Sequence, residues 1–128
     1  MEAAPAPTKI KVLIADDHRL FVDALEAILA TDERFEVVGR AYDGETAVRL
    51  AGREKPDVVL MDIAMPGVDG VEATRRIRKR RKSTAVLVLT GSNARGDVDR
   101  ARKAGAGAYV TKDQIASQLI DAILDLAA

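Results

Sequence analysis

The chain has 128 residues, enough for one domain whose core needs no covalent staple. It has no cysteine, which excludes a disulfide framework and a thiolate metal site. Its 20 basic and 20 acidic side chains cancel, which excludes a global field for nucleic acid, and no apolar run approaches the roughly 20 residues of a membrane helix. A cytoplasmic protein without a membrane partner is the expectation.

Residues 1–8 contain Pro5 and Pro7 and lack the basic and apolar regions of a signal peptide, so they read as a flexible leader. Residues 9–128 read as one domain. Its first strand is Ile10 to Ala15, ending in Asp16-Asp17. His18 to Ala30 then carries Leu20, Phe21, Ala24, Leu25, Ile28 and Leu29 at helical spacing, with Asp17 placed to cap it. Phe35 to Ala41 alternates as an outer strand. Asp43-Gly44-Glu45 opens a second helix, apolar at Ala47, Val48, Leu50 and Ala51, which runs to about Arg53 before Lys55-Pro56-Asp57 breaks it.

Val58-Val59-Leu60-Met61 is apolar without alternation, as a parallel strand buried on both faces is. Asp62 ends it, ahead of Ile63-Ala64-Met65-Pro66-Gly67. A third helix begins near Asp69-Gly70, with Val71, Ala73, Thr74 and Ile77 apolar or small, and runs into the basic stretch Arg75 to Lys82. No aromatic residue is interleaved there for stacking on bases. A solvated helix end, where cations complement the macrodipole, is therefore preferred to a nucleic-acid patch.

Ala85 to Leu89 is a further strand, ending in Thr90-Gly91-Ser92. A fourth helix, from about Asn93 to Ala104, has a thin apolar stripe of Val98, Ala101 and Ala104, and Gly105-Ala106-Gly107 stops it. The short strand Ala108-Tyr109-Val110 is followed by Thr111-Lys112. The last helix spans Asp113 to Leu126.

Five strands alternating with five helices predict a doubly wound, flavodoxin-like α/β domain with a parallel sheet of order 2-1-3-4-5. That order sets the first and third strands side by side. Taken singly, Asp62 reads as a turn cap, Asp16 and Asp17 as helix-opening residues, Thr90 as a strand-end residue and Lys112 as a surface cation. Together they fall on one sheet edge, where ligands of open α/β sheets bind. Three crowded carboxylates call for a cation between them, and oxygen ligands select Mg²⁺ or a similar ion such as Mn²⁺. Magnesium completes its shell readily with phosphate oxygens, which points to phosphoryl transfer.

These residues carry a resemblance. The Asp16-Asp17 pair, the stretch from Met61 to Gly70, Thr90 and Lys112 resemble the motifs of a response-regulator receiver domain of two-component signalling, over about Ile10 to Leu126. The resemblance implies that Asp62 is the phosphoacceptor. It implies that Asp17 binds the metal directly, that Asp16 holds the metal's waters, and that Asp62 and the Ala64 backbone carbonyl complete the ligands. Lys112, the Thr90 hydroxyl, the Gly91 backbone N–H and Ala64 would surround the phosphoryl group, and Thr90 with Tyr109 would form the switch. His18 receives no role and reads as a solvated first-turn residue.

Asp113 departs from the proline that many receivers carry after the lysine. The Ala-Asp-Asp-His opening and the Gly-Ala-Gly-Ala-Tyr-Val-Thr-Lys segment are most similar to the NarL/FixJ group, whose members usually carry a helix-turn-helix output domain. The implied partners are a sensor histidine kinase and, after phosphorylation, a second copy of the chain. DNA would be reached only through a C-terminal domain outside this sequence. A stand-alone receiver acting on a protein partner is the alternative.

Two other classes fit less well. A phosphohydrolase with an aspartyl-phosphate intermediate typically has a second Asp two positions after the nucleophile, where this chain has Ala64. A flavin or nucleotide binder needs a phosphate-cradling loop after the first strand, whereas Ala15-Asp16-Asp17-His18 has no glycine and repels phosphate.

Overall fold

A computed structural model describes residues 8–91 and 95–128. The strands are β1 (Ile10–Ala15), β2 (Phe35–Ala41), β3 (Val58–Asp62), β4 (Ala85–Thr90) and β5 (Ala108–Thr111). The helices are α1 (Arg19–Ala30), α2 (Gly44–Glu54), α3 (Gly70–Arg80), α4 (Arg95–Lys103) and α5 (Ile115–Ala127). The strands form one parallel sheet in the order β2-β1-β3-β4-β5, as the alternation of elements predicts. Most of the expected leader, together with Ser92 and the expected start of the fourth helix at Asn93, lies outside the described residues.

Side-chain alternation along the strands divides the core in two. Leu13, Ala15, Val59, Met61, Val86 and Val88 face Leu50, Val71, Ile77 and Ala101 of α2, α3 and α4. Val12, Ile14, Leu60, Leu87 and Leu89 face Val22, Leu25 and Leu29 of α1 and Leu119 and Ile123 of α5. Every residue of β3 is buried, because helices cover both of its faces. Asp62 is therefore carried on one of the most enclosed strands of the fold.

Local chemistry sets the helix starts. The Asp43 carboxylate accepts the Thr46 N–H at 2.8 Å, and Asp69 accepts the Glu72 N–H at 2.9 Å, so each caps a helix that begins where the sequence places its start. Asp17 does not cap α1. The Asp16 carboxylate instead accepts the His18 N–H at 2.9 Å, a local turn that moves the N-cap to His18. The packed face of α1 also differs from the expected one: Val22, Leu25 and Leu29 are buried, while Leu20 is 85% exposed. At 3.6 residues per turn, Leu20 lies roughly 140° around the helix from Leu25, outside the arc that the sheet covers.

The segment after β5 also departs from a single helix starting at Asp113. Thr111 belongs to the strand, and a 3-10 turn over Lys112–Gln114 precedes α5. In the basic stretch, Arg75 and Arg76 pair with Glu72, and Arg78 donates to the carbonyls of Lys82 and Thr84 at 2.6 and 2.7 Å. These contacts are those of a solvated helix end, with Arg78 tying down the loop that follows α3.

Candidate functional site

The register of the sheet assembles the site. Ala15 pairs with Met61, so Asp16, just past the end of β1, and Asp62, the last residue of β3, emerge side by side. On the other side, Asp62 pairs with Leu89, and Thr90 pairs with Thr111. The carboxylates, Thr90 and Lys112 thus reach the same rim from four strands. Gly70 closes the floor, since a Cβ there would lie 1.9 Å from the Asp62 carbonyl oxygen.

The distances define a compact charged cluster. Lys112 Nζ lies 2.9 Å from Asp16 Oδ2, an ion-pair separation without hydrogen-bond alignment, and 3.5 Å from Asp62 Oδ1. The ammonium also sits over the Phe21 ring, 4.6 Å from its centroid. Asp16 is fully buried, Asp62 is 3% exposed and Thr90 is buried. Asp17 is partly exposed at the mouth. Asp16 Oδ2, Asp17 Oδ1 and Asp62 Oδ2 are shielded from solvent and make no hydrogen bond.

Burial pushes the Asp62 carboxyl up to about 6, and the negative charges of Asp16 and Asp17 act in the same direction. Lys112 and the Ala64 backbone N–H pull it down by less. Three carboxylates against one ammonium leave a net negative pocket, and carboxylate oxygens without hydrogen-bond donors are the acceptors a hard divalent cation uses. The residues present therefore fit Mg²⁺.

Of the residues singled out in the sequence, Asp16, Asp17, Asp62 and Lys112 meet directly. Thr90 and Gly91 stand at the end of β4, and Ala64 lies beside Asp62. Tyr109 is not brought into the cluster: it is 40% exposed, with the Arg102 guanidinium 5.7 Å from its ring centroid. Two neighbours escaped the sequence reading. Phe21 underlies Lys112, for which the sequence carried no signal. His18 places Nδ1 3.2 Å from Asp16 and 3.3 Å from Asp17, and its position beside the acidic pair was a visible clue.

Residues 12–124 match the family model of the response regulator receiver domain. The chain belongs to this family. Transcriptional regulatory protein DegU of Brevibacillus brevis is 45% identical over 115 residues, covering 90% of this chain and 49% of DegU. The signal receiver domain of NarL from Mycobacterium tuberculosis superposes with a TM-score of 0.90 at 34% identity, covering 94% of this chain and 98% of that one. A CheX–CheY complex with BeF₃ and Mg²⁺ from Borrelia burgdorferi also matches, with a TM-score of 0.87 at 25% identity and coverage of 94% and 91%.

This receiver spans about half the length of curated relatives such as DegU and the Pseudomonas aeruginosa response regulator GacA, at 49% and 53%. Receivers of such transcriptional response regulators are signalling modules of two-component systems and not conventional enzymes. Among the described residues, no helix is long and apolar enough to cross a membrane.

Proposed function

We propose that this receiver is a phosphorylation-dependent switch whose acceptor is Asp62. The observation that carries the reading is the buried Asp62 carboxylate, flanked by two further carboxylates and 3.5 Å from the Lys112 ammonium. A carboxylate oxygen of Asp62 attacks phosphorus, and its new P–O bond forms as the P–N bond of a kinase phosphohistidine breaks. Asp17 and Asp62, with the Ala64 carbonyl, would hold Mg²⁺, and Asp16 would hold its waters. The ion supplies positive charge for the phosphoryl oxygens in a pocket that otherwise repels them.

Lys112, the Thr90 hydroxyl and the backbone N–H groups of Gly91 and Ala64 then take the phosphoryl oxygens. These contacts exist only in the phosphorylated state, so they bias a two-state equilibrium. Thr90 moving toward the phosphoryl group would release space for the outward Tyr109 ring, remodelling the face of α4, β5 and α5. The partners on this reading are a sensor histidine kinase and a second copy of the chain, with a cytoplasmic location. Output would be transcription through a DNA-binding domain in a longer protein, a reading supported by the lengths and names of DegU and GacA.

Incubation with acetyl phosphate and Mg²⁺ tests the acceptor. One alkali- and hydroxylamine-labile phosphoryl group is expected on the parent and none on Asp62→Asn. Equal labelling of the two proteins would refute the assignment.

A further inference from the structure

His18 is the only histidine of the chain, and the chain has no cysteine. It is therefore the one side chain able to offer a metal an imidazole nitrogen, a donor that suits first-row transition ions. It stands at the mouth of the acidic pocket. Its backbone is held as the N-cap of α1, and its N–H is donated to Asp16. Its ring is 69% exposed, with Nδ1 at contact distance from carboxylates of both Asp16 and Asp17.

One ligand atom each from Asp16, Asp17, His18 and Asp62 all lie within 4.8 Å of one another. Ligands at ~2.1 Å on opposite sides of an ion stand about 4.2 Å apart, so the set needs to contract by only about half an ångström. The Asp62 Oδ2 oxygen, shielded from solvent on a nearly buried residue, makes neither a hydrogen bond nor an ion pair, so the pocket has unmet acceptor capacity. An all-oxygen pocket suits Mg²⁺, whereas an imidazole in the ligand set favours first-row transition ions.

We propose that His18 is a nitrogen ligand of this pocket, making it a mixed nitrogen–oxygen site that takes ions such as Mn²⁺ or Co²⁺ in preference to Mg²⁺. This rests on the reading that the pocket holds a divalent cation. Because no other side chain supplies imidazole nitrogen, ligation seen in solution is assignable to His18 without isotope editing.

The test uses the full chain freed of metal by a chelator, as parent, His18→Gln and Asp17→Asn. Calorimetry measures Co²⁺ and Mg²⁺ affinity, and pulsed EPR of the Mn²⁺-loaded proteins reads imidazole nitrogen coupling. In His18→Gln, Co²⁺ affinity should fall about tenfold while Mg²⁺ affinity stays within about twofold. The parent's imidazole coupling should disappear. Asp17→Asn should weaken both ions. A parent without imidazole coupling, or a Co²⁺-over-Mg²⁺ preference unchanged in His18→Gln, overturns the proposal while leaving the cation pocket standing. A parent that binds neither ion overturns the cation pocket itself and this proposal with it.

Discussion

Lys112 Nζ stands 2.9 Å from Asp16 Oδ2, closer than its 3.5 Å approach to Asp62. In this state the ammonium is held by Asp16 and by the face of Phe21. A phosphoryl group on Asp62 competes for it. The contact Lys112 exchanges on phosphorylation is therefore with Asp16, which makes the lysine the coupling element of the proposed switch.

Lys112→Ala should accept phosphoryl from acetyl phosphate, more slowly, because Asp62 and the acidic pair remain. It should not convert that event into output, since only differential contacts shift a two-state equilibrium. Sedimentation with and without beryllofluoride reads this: the parent should move toward dimer and the variant should not. If both respond alike, Lys112 is not the coupling residue.

Asp17→Ala should abolish Mg²⁺-dependent phosphorylation and leave the fold intact. Asp17 is partly exposed, and its side chain does not cap α1. Thermal unfolding should be within a few degrees of the parent in chelator, while added Mg²⁺ should raise the parent's midpoint alone. A Mg²⁺-induced shift of equal size in the variant would remove Asp17 from the metal site.

The buried Asp62 charge costs stability in a pH-dependent way. Unfolded, the carboxyl titrates near its ordinary 3.8, and folded near about 6. Between these values the folded protein keeps a proton that the unfolded chain has lost, so this contribution to stability falls as pH rises through the window. Above it the full penalty applies. Asp62→Asn in chelator should be more stable than the parent by about 1–3 kcal/mol at pH 7.5, with the gain vanishing near pH 4. Urea denaturation at the two pH values measures it; a gain that is independent of pH points to packing and not to charge.

Two glycine substitutions should separate. Gly70→Ala forces a Cβ to 1.9 Å from the Asp62 carbonyl oxygen and 2.8 Å from Ile63 Cα, against backbone that cannot rotate away. A loss of about 3 kcal/mol or more is expected, with loss of phosphorylation. Gly52 lies exposed in α2 with nothing within 4 Å of an added Cβ. Gly52→Ala should stabilise by about 0.5–1 kcal/mol through helix propensity and leave phosphorylation unchanged. Denaturant midpoints for the two variants decide it.

The sequence by itself determined the order of elements, the wholly apolar β3 and the strand-end position of Asp62. It also placed the starts of α2 and α3 at Asp43-Gly44 and Asp69-Gly70, because apolar period and turn chemistry act over a few neighbouring residues. The tertiary structure decided which carboxylate meets the lysine. Asp16 and Lys112 are 96 positions apart in sequence and meet only because β1 and β5 are placed by strands between them. It also decided the register of α1. The apolar residues from Leu20 to Leu29 mark a wide arc, and contact with the sheet selects Val22, Leu25 and Leu29 from it while leaving Leu20 in solvent. The same rotation puts Phe21 beneath Lys112. The turn closed by Asp16 brings His18 onto the acidic pair, where a side chain with no evident role in the sequence comes to face two carboxylates.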